Sequence, residues 1–206
     1  TWSANGRSSI LGVTLKRAPD KLDQVITVGT AAPANAAFGT TFPVDATSDS
    51  GLNVAITTSG GCSGSGTSSA VITMTSGTTA CVVHYNQAGD TTYNAAPEVT
   101  SSTTAQKATA TITFNAAPTP TYLGGNFTVS ASTDNTDSST LTYSYVSGPC
   151  AFVSGATFSS SGAGTCIVQA NGAATANFNA ASQTQNVSIA KATATVTLGS
   201  LAQTYD

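Results

Sequence analysis

The sequence has few charged residues: six Lys or Arg and nine Asp or Glu among 206 residues, or 7%. The formal net charge of −3 provides no basic surface for neutralising the phosphates of a nucleic acid, so a nucleic-acid partner is not expected. Short alternating runs of Thr, Val, Ile, Tyr and Phe argue against disorder, because such runs are typical of folded strands. No apolar run approaches the roughly 20 residues of a membrane-spanning helix, so no membrane span is expected.

Metal ligands are also scarce. His84 is the only histidine, and no Cys-x-x-Cys pair is present, so a zinc site has too few ligands. Two acidic pairs, Asp45 with Asp49 and Asp134 with Asp137, lie in predicted loops. Calcium requires six to eight oxygen ligands, and each pair offers only two carboxylates. We therefore expect no metal and no cofactor.

An internal repeat is the clearest feature of the chain. Lys107-Ala-Thr-Ala-Thr-Ile-Thr-Phe114 recurs as Lys191-Ala-Thr-Ala-Thr-Val-Thr-Leu198, 84 residues later, and Asp23–Val28 is a weaker copy one period earlier. A fixed spacing of this size indicates a tandem array, and the period is that of a small β-sandwich. The predicted segments are the last strand of a preceding repeat or an exchangeable N-terminal strand (1–22), repeat 1 (23–106), repeat 2 (107–190), and the first strand of a following repeat or a donor strand (191–206).

Each repeat contains about seven short runs of alternating polarity separated by turn residues, and neither shows a sustained helical period. In repeat 1 the first three predicted strands are Val25–Val28, Phe38–Ala46 and Leu52–Thr57. The third aligns with Leu141–Tyr145 of repeat 2. The pattern predicts an all-β fold made of tandem immunoglobulin-like β-sandwich domains in an elongated rod.

The four cysteines fall two in each repeat, as Cys62 with Cys81 and Cys150 with Cys166, separated by 19 and 16 residues. This distribution predicts two local disulfides, with reduced core cysteines as the alternative. Loops of this size would stabilise each repeat by about 3 kcal/mol. Disulfides also indicate a location outside the cytosol.

Both ends of the chain contain isolated strand-like runs, Ile10–Leu15 and Thr193–Leu198. The chain also begins without Met or a signal segment, from which we expect either processing or a longer parent polypeptide. A lone strand cannot bury its apolar face, so the expected partners are neighbouring repeats or other copies of the chain. The residues assigned to strand exchange are Ile10, Val13, Leu15, Thr193, Thr195, Val196 and Leu198.

Three stretches carry a resemblance to a known family. Cys150–Val168 and Asn86–Pro97 resemble the immunoglobulin-like repeats of giant bacterial surface adhesins. Lys191–Asp206 looks like the start of a related module whose name includes Tyr-Asp-Gly. The resemblance covers about residues 23 to 206 and implies a surface-exposed, stalk-like spacer without catalytic residues. Repeat 2 departs from it at Asn171–Asn177, where Asp90 has no counterpart.

These observations favour a non-enzymatic stalk or spacer of an extracellular bacterial adhesin or surface fibre, whose distal target the sequence does not identify. One alternative is the subunit of a surface filament assembled by inter-subunit β-strand complementation. Another is a glycan- or protein-binding module that uses Tyr85, Asp90 and Tyr93 in a loop. His84 aligns with Gln169 and is interpreted as a strand-surface residue, because no Gly-x-Ser-x-Gly elbow exposes a nucleophilic serine.

Overall fold

The structure is a computed structural model that describes residues 20–197 and residue 199. The predicted strand Ile10–Leu15 and residue Leu198 lie outside the described residues. All regular secondary structure in the described part is β, so the all-β prediction is confirmed. Nothing within that part forms a helix of the length and hydrophobicity needed to cross a membrane.

The strands of repeat 1 form one connected sheet of nine strands. Its neighbours pair antiparallel except the second and ninth strands, which run parallel. In chain order the strands are β1 (Ile26–Thr30), β2 (Asn35–Ala37), β3 (Thr41–Ser48), β4 (Ala55–Gly60), β5 (Cys62–Ser63), β6 (Gly66–Thr67), β7 (Ser69–Met74), β8 (Cys81–Asn86) and β9 (Val99–Gln106). The order across the sheet is β1-β3-β7-β6-β4-β8-β9-β2, with β5 also pairing β7.

The strands of repeat 2 form four smaller sheets. In chain order they are β10 (Ala108–Thr109), β11 (Ile112–Phe114), β12 (Asn126–Thr128), β13 (Ala131–Thr133), β14 (Leu141–Ser147), β15 (Cys150–Ser154), β16 (Thr157–Ser160), β17 (Gly164–Gly172), β18 (Phe178–Asn179) and β19 (Ala181–Ile189). The sheets are β10-β18, β11-β13, β12-β16-β15 and β14-β17-β19.

Each repeat has its own hydrophobic core, built from alternate residues of its strands. In repeat 1, Cys81, Val83 and Tyr85 of β8 are fully buried, and their neighbours along the strand face outward. In repeat 2, Cys166, Val168 and Ala170 of β17 take the same alternation. The two buried clusters share no residue.

Two disulfides join strands within these cores. Cys62 of β5 bonds to Cys81 of β8, and their Cα atoms are 5.2 Å apart. Cys150 of β15 bonds to Cys166 of β17, with Cα atoms 5.7 Å apart. These are the two pairs expected from the spacing of the cysteines. Each bond closes a loop at the end of a long buried strand.

Two predicted strands of repeat 1 are misplaced. The second strand begins at Thr41 rather than Phe38, because Ala37–Thr40 form a turn in which the Thr40 N–H donates to the Ala37 carbonyl. The third strand of repeat 1 begins at Ala55 rather than Leu52. The fully buried Val54 lies outside the ladder because its carbonyl accepts from the backbone N–H of Ser68 and its N–H donates to the Ser68 hydroxyl. A loop of different length in each repeat therefore precedes the strand.

The repeat-to-repeat alignment of this strand is shifted for the same reason. Ile56 lies opposite Tyr85 in repeat 1, and Tyr143 lies opposite Ala170 in repeat 2. Because Tyr85 and Ala170 are equivalent positions counted from the disulfide cysteines, Ile56 corresponds to Tyr143. The sequence alignment placed it against Tyr145, two residues too far along.

The segment after repeat 2 has the alternating sequence pattern of a strand but pairs with no strand in the described part of the chain. Lys191–Thr197 contains no strand, and all of its residues are exposed. Val196 is 83% exposed. A lone strand forms only where it finds an edge to pair with, and within the described residues this segment pairs with none.

Candidate functional site at the junction of the two repeats

The end of repeat 1 carries an aromatic side chain on a tight turn. The turn runs from Ala37 to Thr40, whose N–H donates to the Ala37 carbonyl at 3.1 Å. Gly39 occupies its third position with φ of +79°, a conformation that glycine adopts without strain. Phe38 sits between them, and its N–H donates to the carbonyl of Gln106 at 2.8 Å. The Phe38 ring is thereby fixed beside the point where the chain leaves β9.

Repeat 2 places a second aromatic ring against the first. The ring centroids of Phe38 and Phe178 are 5.5 Å apart, and the rings cross at 72°. Such edge-to-face pairs contribute about 0.5–1.5 kcal/mol beyond the area they bury. Phe178 is buried and is held by a loop in which its N–H donates to the Thr175 hydroxyl at 3.2 Å.

A chain of hydrogen bonds crosses the junction. The Asn177 side-chain carbonyl accepts from the Gly77 N–H of repeat 1 at 2.8 Å. Asp137 fixes the position of Asn177 within repeat 2, because its carboxylate accepts hydrogen bonds from the Asn177 N–H at 2.8 Å and from the Asn177 side-chain amide at 3.0 Å. These two donors from Asn177, the backbone amide first, lower the pKa of the Asp137 carboxyl.

The backbones of the two repeats approach closely at Gly77. A Cβ atom built on Gly77 would lie 2.9 Å from the Cα of Asn177 and 3.2 Å from the carbonyl oxygen of Ala176. Any side chain there would therefore push the repeats apart. Lys107, the first residue of repeat 2, donates from Nζ to the carbonyl of Thr175 at 2.6 Å. This bond anchors the first residue of repeat 2 to the loop that carries Asn177.

A polar cluster surrounds the single histidine on the outer face of repeat 1. The Ser59 hydroxyl lies 2.8 Å from His84 Nε2, and His84 Nδ1 lies 2.7 Å from the Glu98 carboxylate. Asn86 donates its side-chain amide to the same carboxylate at 3.2 Å. Hydrogen bonds from Asn86, and then from His84, lower the pKa of Glu98.

The order serine, histidine, carboxylate matches the connectivity of a catalytic triad. Acyl transfer also requires donors aimed at a developing oxyanion and a pocket for the substrate. Ser59 lies on β4 and Glu98 immediately before β9, on either side of β8, and both are exposed. Five surface cavities of about 310 to 620 Å³ in the described part of the chain are lined by other residues. The cluster is therefore a set of cross-strand contacts that joins β4, β8 and the start of β9.

The predicted loop-binding surface is not assembled. Tyr85 is 0% exposed, and its hydroxyl lies 3.1 Å from that of Ser101, so it cannot form an aromatic platform for a ligand. This part of the prediction is wrong, because Tyr85 follows the inward alternation of β8. The Asp90 carboxylate accepts hydrogen bonds from the backbone N–H groups of Thr92 and Tyr93 at 2.7 and 2.8 Å. These two bonds lower the pKa of Asp90, and the bond from Tyr93 has the larger effect. Asp90 therefore closes its own turn.

Two carboxylates from the acidic pairs that were considered as calcium ligands also accept hydrogen bonds from backbone N–H groups. Asp49 accepts from the N–H of Val25 at 2.9 Å, and Asp134 accepts from the N–H of Thr111 at 2.7 Å. Asp45 lies within β3 rather than in a loop. Among residues 20–197 no group of three or more His, Cys, Asp or Glu side chains is arranged to hold a metal ion.

A groove of about 620 Å³ runs along the outer edge of β19. It is lined by Thr111–Phe114, from β11 and the residue before it, and by Gln183–Asn186 of β19. The side-chain amide of Gln185 donates to the carbonyl of Asn115 at 2.6 Å. Its side-chain oxygen is buried and accepts no hydrogen bond within the described residues. This edge therefore retains an unused acceptor.

Three of the seven residues assigned to strand exchange lie in the described part of the chain. Thr193, Thr195 and Val196 are exposed and outside any strand. Ile10, Val13, Leu15 and Leu198 lie outside the described residues.

Sequence reasoning missed the junction residues Phe38, Gly77, Asp137 and Asn177. One signal was available, since the short connection at Gln106–Ala108 forces the two repeats into contact. The identity of the contacting residues could not be read from the sequence, because residues 77 and 177 are 100 positions apart.

No family model matches the sequence, and no curated protein matches it significantly. Among solved structures, domains 4–9 of the surface layer protein SbsC are similar over 82% of this chain and 31% of that chain, with 12% identity and a TM-score of 0.24. The chain thus spans about a third of the length of that structure. A likeness at this level carries no argument about fold or function.

Proposed function

We propose that this chain is a non-enzymatic structural region of an extracellular bacterial adhesin or surface fibre, built from tandem immunoglobulin-like sandwiches. The observation that carries the proposal is the fixed junction. Phe38 and Phe178 stack edge to face, and Gly77 bonds Asn177 across a connection of only two or three residues. A connection so tied transmits force and direction from one repeat to the next, which is what a stalk requires.

Two further observations support this role. Each repeat is cross-linked by its own disulfide, which indicates an oxidising compartment and limits how far a repeat can extend when pulled. Along the strands of each core, buried residues alternate with outward-facing ones, in keeping with the strands of an immunoglobulin-like sandwich. The scarcity of charge, at 7%, leaves a surface of hydroxyl and amide groups that solvates the stalk.

The experiment is a measurement of residual dipolar couplings for the 206-residue chain. We expect one alignment tensor to fit the amides of both repeats, because the junction holds them in one orientation. A matched variant with a flexible Gly-Ser linker inserted between Gln106 and Lys107 should need two tensors. Two independent tensors in the unmodified chain would contradict the proposed stalk.

The non-enzymatic part of the proposal has its own test at the His84 cluster. We expect a fluorophosphonate probe, which phosphonylates activated serines with loss of fluoride, to leave Ser59 unmodified. Ser59→Ala serves as the matched control. Labelling that is lost in Ser59→Ala and in His84→Gln would show an activated nucleophile and would overturn this part of the proposal.

A second candidate function is a filament subunit assembled by strand complementation, and the β19 groove favours it. The groove offers an unpaired strand edge and the unused acceptor of Gln185. Lys191–Thr197 offers an exposed, unpaired segment with a strand-like pattern. Strand addition joins such an edge to such a segment through backbone hydrogen bonds.

This second candidate is tested with a peptide of the sequence of residues 191–198. Added to the chain, it should shift the amide resonances of Gln183–Asn186 and leave those of β9 unchanged. A peptide in which Thr193 and Thr195 are replaced by proline is the control, because proline cannot donate to a ladder. Shifts elsewhere, or equal shifts with the proline peptide, would rule out complementation at this edge.

A further inference from the structure

The free end of repeat 2 is built like the end of repeat 1 that forms the junction. At the end of repeat 1, the Phe38 N–H donates to the carbonyl of the last β9 residue, Gln106, at 2.8 Å. At the end of repeat 2, the Tyr122 N–H donates to the carbonyl of Ala190 at 2.9 Å. Both bonds lie beside a parallel pairing of the turn with the departing strand. Tyr122 therefore stands where Phe38 stands.

The turns that carry these aromatic residues are also equivalent. In repeat 2 the N–H of Gly124 donates to the carbonyl of Thr121 at 2.8 Å, as Thr40 does to Ala37 in repeat 1. The third turn position has a positive φ in both, +79° at Gly39 and +64° at Leu123. Tyr122 and Leu123 thus form one aromatic and apolar tip.

Leu123 gives independent support for a role of this tip. A leucine at positive φ is strained, whereas the glycine of repeat 1 takes this conformation freely. The side chain is nevertheless 76% exposed, so packing within repeat 2 does not offset the strain. Strain retained at an exposed apolar residue is typical of a contact surface.

The glycine of the junction also has a counterpart. Gly77 and Gly162 each lie four residues before the second disulfide cysteine of their repeat, Cys81 and Cys166. Gly77 is buried beneath repeat 2, whereas Gly162 is half-buried. A Cβ atom on Gly162 would meet one atom within 4 Å among the described residues, the Cβ of Pro149 at 3.2 Å. The backbone at Gly162 is therefore open to close approach.

The complementary surface exists at the opposite end of repeat 1. Tyr93 forms a parallel bridge with Leu22, as Phe178 does with Ala108. The carbonyl of Tyr93 accepts from the N–H of Asp90 at 3.1 Å, as the carbonyl of Phe178 accepts from the N–H of Thr175 at 2.9 Å. Each repeat thus has an aromatic residue in a loop at the end where the chain enters it, Tyr93 or Phe178. It has a second aromatic residue in a turn at the end where the chain leaves it, Phe38 or Tyr122. We call these the entry end and the exit end.

We propose that the exit end of repeat 2, formed by Tyr122, Leu123 and Gly162, is a docking surface for a further copy of the repeat. The copy would seat its loop aromatic residue against Tyr122 and its loop backbone against Gly162. It would enter through Lys191, which holds the place of Lys107 in the sequence. The inference rests on the proposed stalk function and assigns the surface and the partner that extend it.

The test uses the full chain to Ala190 followed directly by a second copy of residues 107–190. In this three-repeat protein the added phenylalanine at the Phe178 position faces Tyr122. We expect the third repeat to share the alignment tensor of the first two in residual dipolar couplings. It should also stand in the same orientation to repeat 2 as repeat 2 has to repeat 1.

Three variants locate the effect. Gly162→Val places a side chain in the new junction and should abolish the common tensor of the third repeat alone. Gly77→Val does the same at the observed junction and should release the first repeat alone. Tyr122→Ala should reproduce the effect of Gly162→Val more weakly, and unchanged amide shifts in the core of repeat 2 check that each variant folds.

The outcomes separate the inference from the function on which it rests. A third repeat that tumbles independently, while repeats 1 and 2 keep one tensor, overturns the docking surface and leaves the stalk intact. The same holds if the third repeat is ordered but indifferent to Gly162→Val and Tyr122→Ala. Independent tumbling of repeats 1 and 2 as well would overturn the proposed function itself.

Discussion

Repeats 1 and 2 each have one internal disulfide and an equivalent turn with an aromatic residue, but the edge of the last strand is covered very differently in the two. In repeat 1 the segment Ala32–Ala37 covers β9, with the Ala32 N–H on the Ser101 hydroxyl at 3.2 Å and the Thr103 hydroxyl on the Pro33 carbonyl at 2.8 Å. The parallel pairing of β2 then completes the cover.

In repeat 2 the equivalent segment makes a single bridge, from Thr121 to Ala190. The difference has a local cause, because Pro118 and Pro120 lack the N–H groups with which a covering strand would pair. An uncovered edge is a place for another strand to add. The comparison shows how two prolines convert a closed edge into the groove along β19.

The repeats differ as well in the middle of their cores. Gln24 is 2% exposed in repeat 1, and its side-chain carbonyl accepts from the Ser48 hydroxyl at 2.7 Å. Its amide donates to the Gln87 side chain at 2.8 Å and to the Asn94 carbonyl at 2.6 Å. The counterpart in repeat 2 is the buried Ala110. Repeat 1 therefore ties its entry loop to the sheet with a polar network, and repeat 2 does so without one.

The largest effect is expected from removing the disulfides, and it tests whether the repeats are equally dependent on them. Replacing both Cys62 and Cys81 by alanine should lower the free energy of unfolding of repeat 1 by about 3 kcal/mol, and replacing Cys150 and Cys166 should do the same in repeat 2. Denaturant titration followed by resonances of each repeat measures both. We expect repeat 2 to unfold first, because its strands form four small sheets rather than one.

A loss confined to well under about 1 kcal/mol in either repeat would contradict the stabilising role of that disulfide. Equal unfolding midpoints of the two reduced repeats would instead contradict the link to sheet connectivity.

An intermediate effect is expected at the polar core of repeat 1. Gln24→Ala removes the hydrogen bonds that Gln24 makes with the Ser48 hydroxyl, the Gln87 side chain and the Asn94 carbonyl. Although Ser48 and Gln87 keep other partners, the loss of these part-buried bonds should cost about 2 kcal/mol of unfolding free energy in repeat 1. Ala110→Gln is the reciprocal variant, and it should also destabilise repeat 2 because it buries an amide among apolar groups. Chemical denaturation of both variants checks the pair. A neutral Ala110→Gln would mean that repeat 2 already offers suitable partners.

Local sequence patterns predicted the β class and most strand positions, because each strand alternates over its own length. The same alternation in Cys81-Val82-Val83-His84-Tyr85 places Tyr85 inside with Cys81 and Val83. Its assignment to a binding surface could therefore have been avoided from the sequence alone.

What could not be predicted depends on contacts between distant parts of the chain. The partner of Phe38 is Phe178, and nothing in either local pattern names the other. The offset at β4 is of the same kind, since the start of that strand is set by hydrogen bonds between Val54 and Ser68 across a loop. Counting from a repeat motif assumes equal loop lengths, and these loops differ.

The smallest expected effect concerns the response of the junction to acid. Hydrogen bonds from Asn177 hold the pKa of Asp137 below its usual value of about 3.9. A lowered pKa in the folded protein means that, above the unfolded pKa, the ionised carboxylate stabilises the loop of repeat 2 in which Asn177 faces Gly77. That contribution is lost as the pH falls through the folded pKa. The common alignment of the two repeats should therefore weaken in acid, before the cores unfold.

Asp137→Asn should weaken the common alignment at neutral pH and remove most of its further decline in acid. Glu98→Gln is the matched control, because Glu98 also has a lowered pKa but lies at the start of β9, and the other end of β9, Gln106, lies at the junction. It should alter the acid response of repeat 1 stability and leave the relative orientation of the repeats unchanged. An orientation that is insensitive to acid in the unmodified chain would show that Phe38 and Gly77 hold the junction without Asp137.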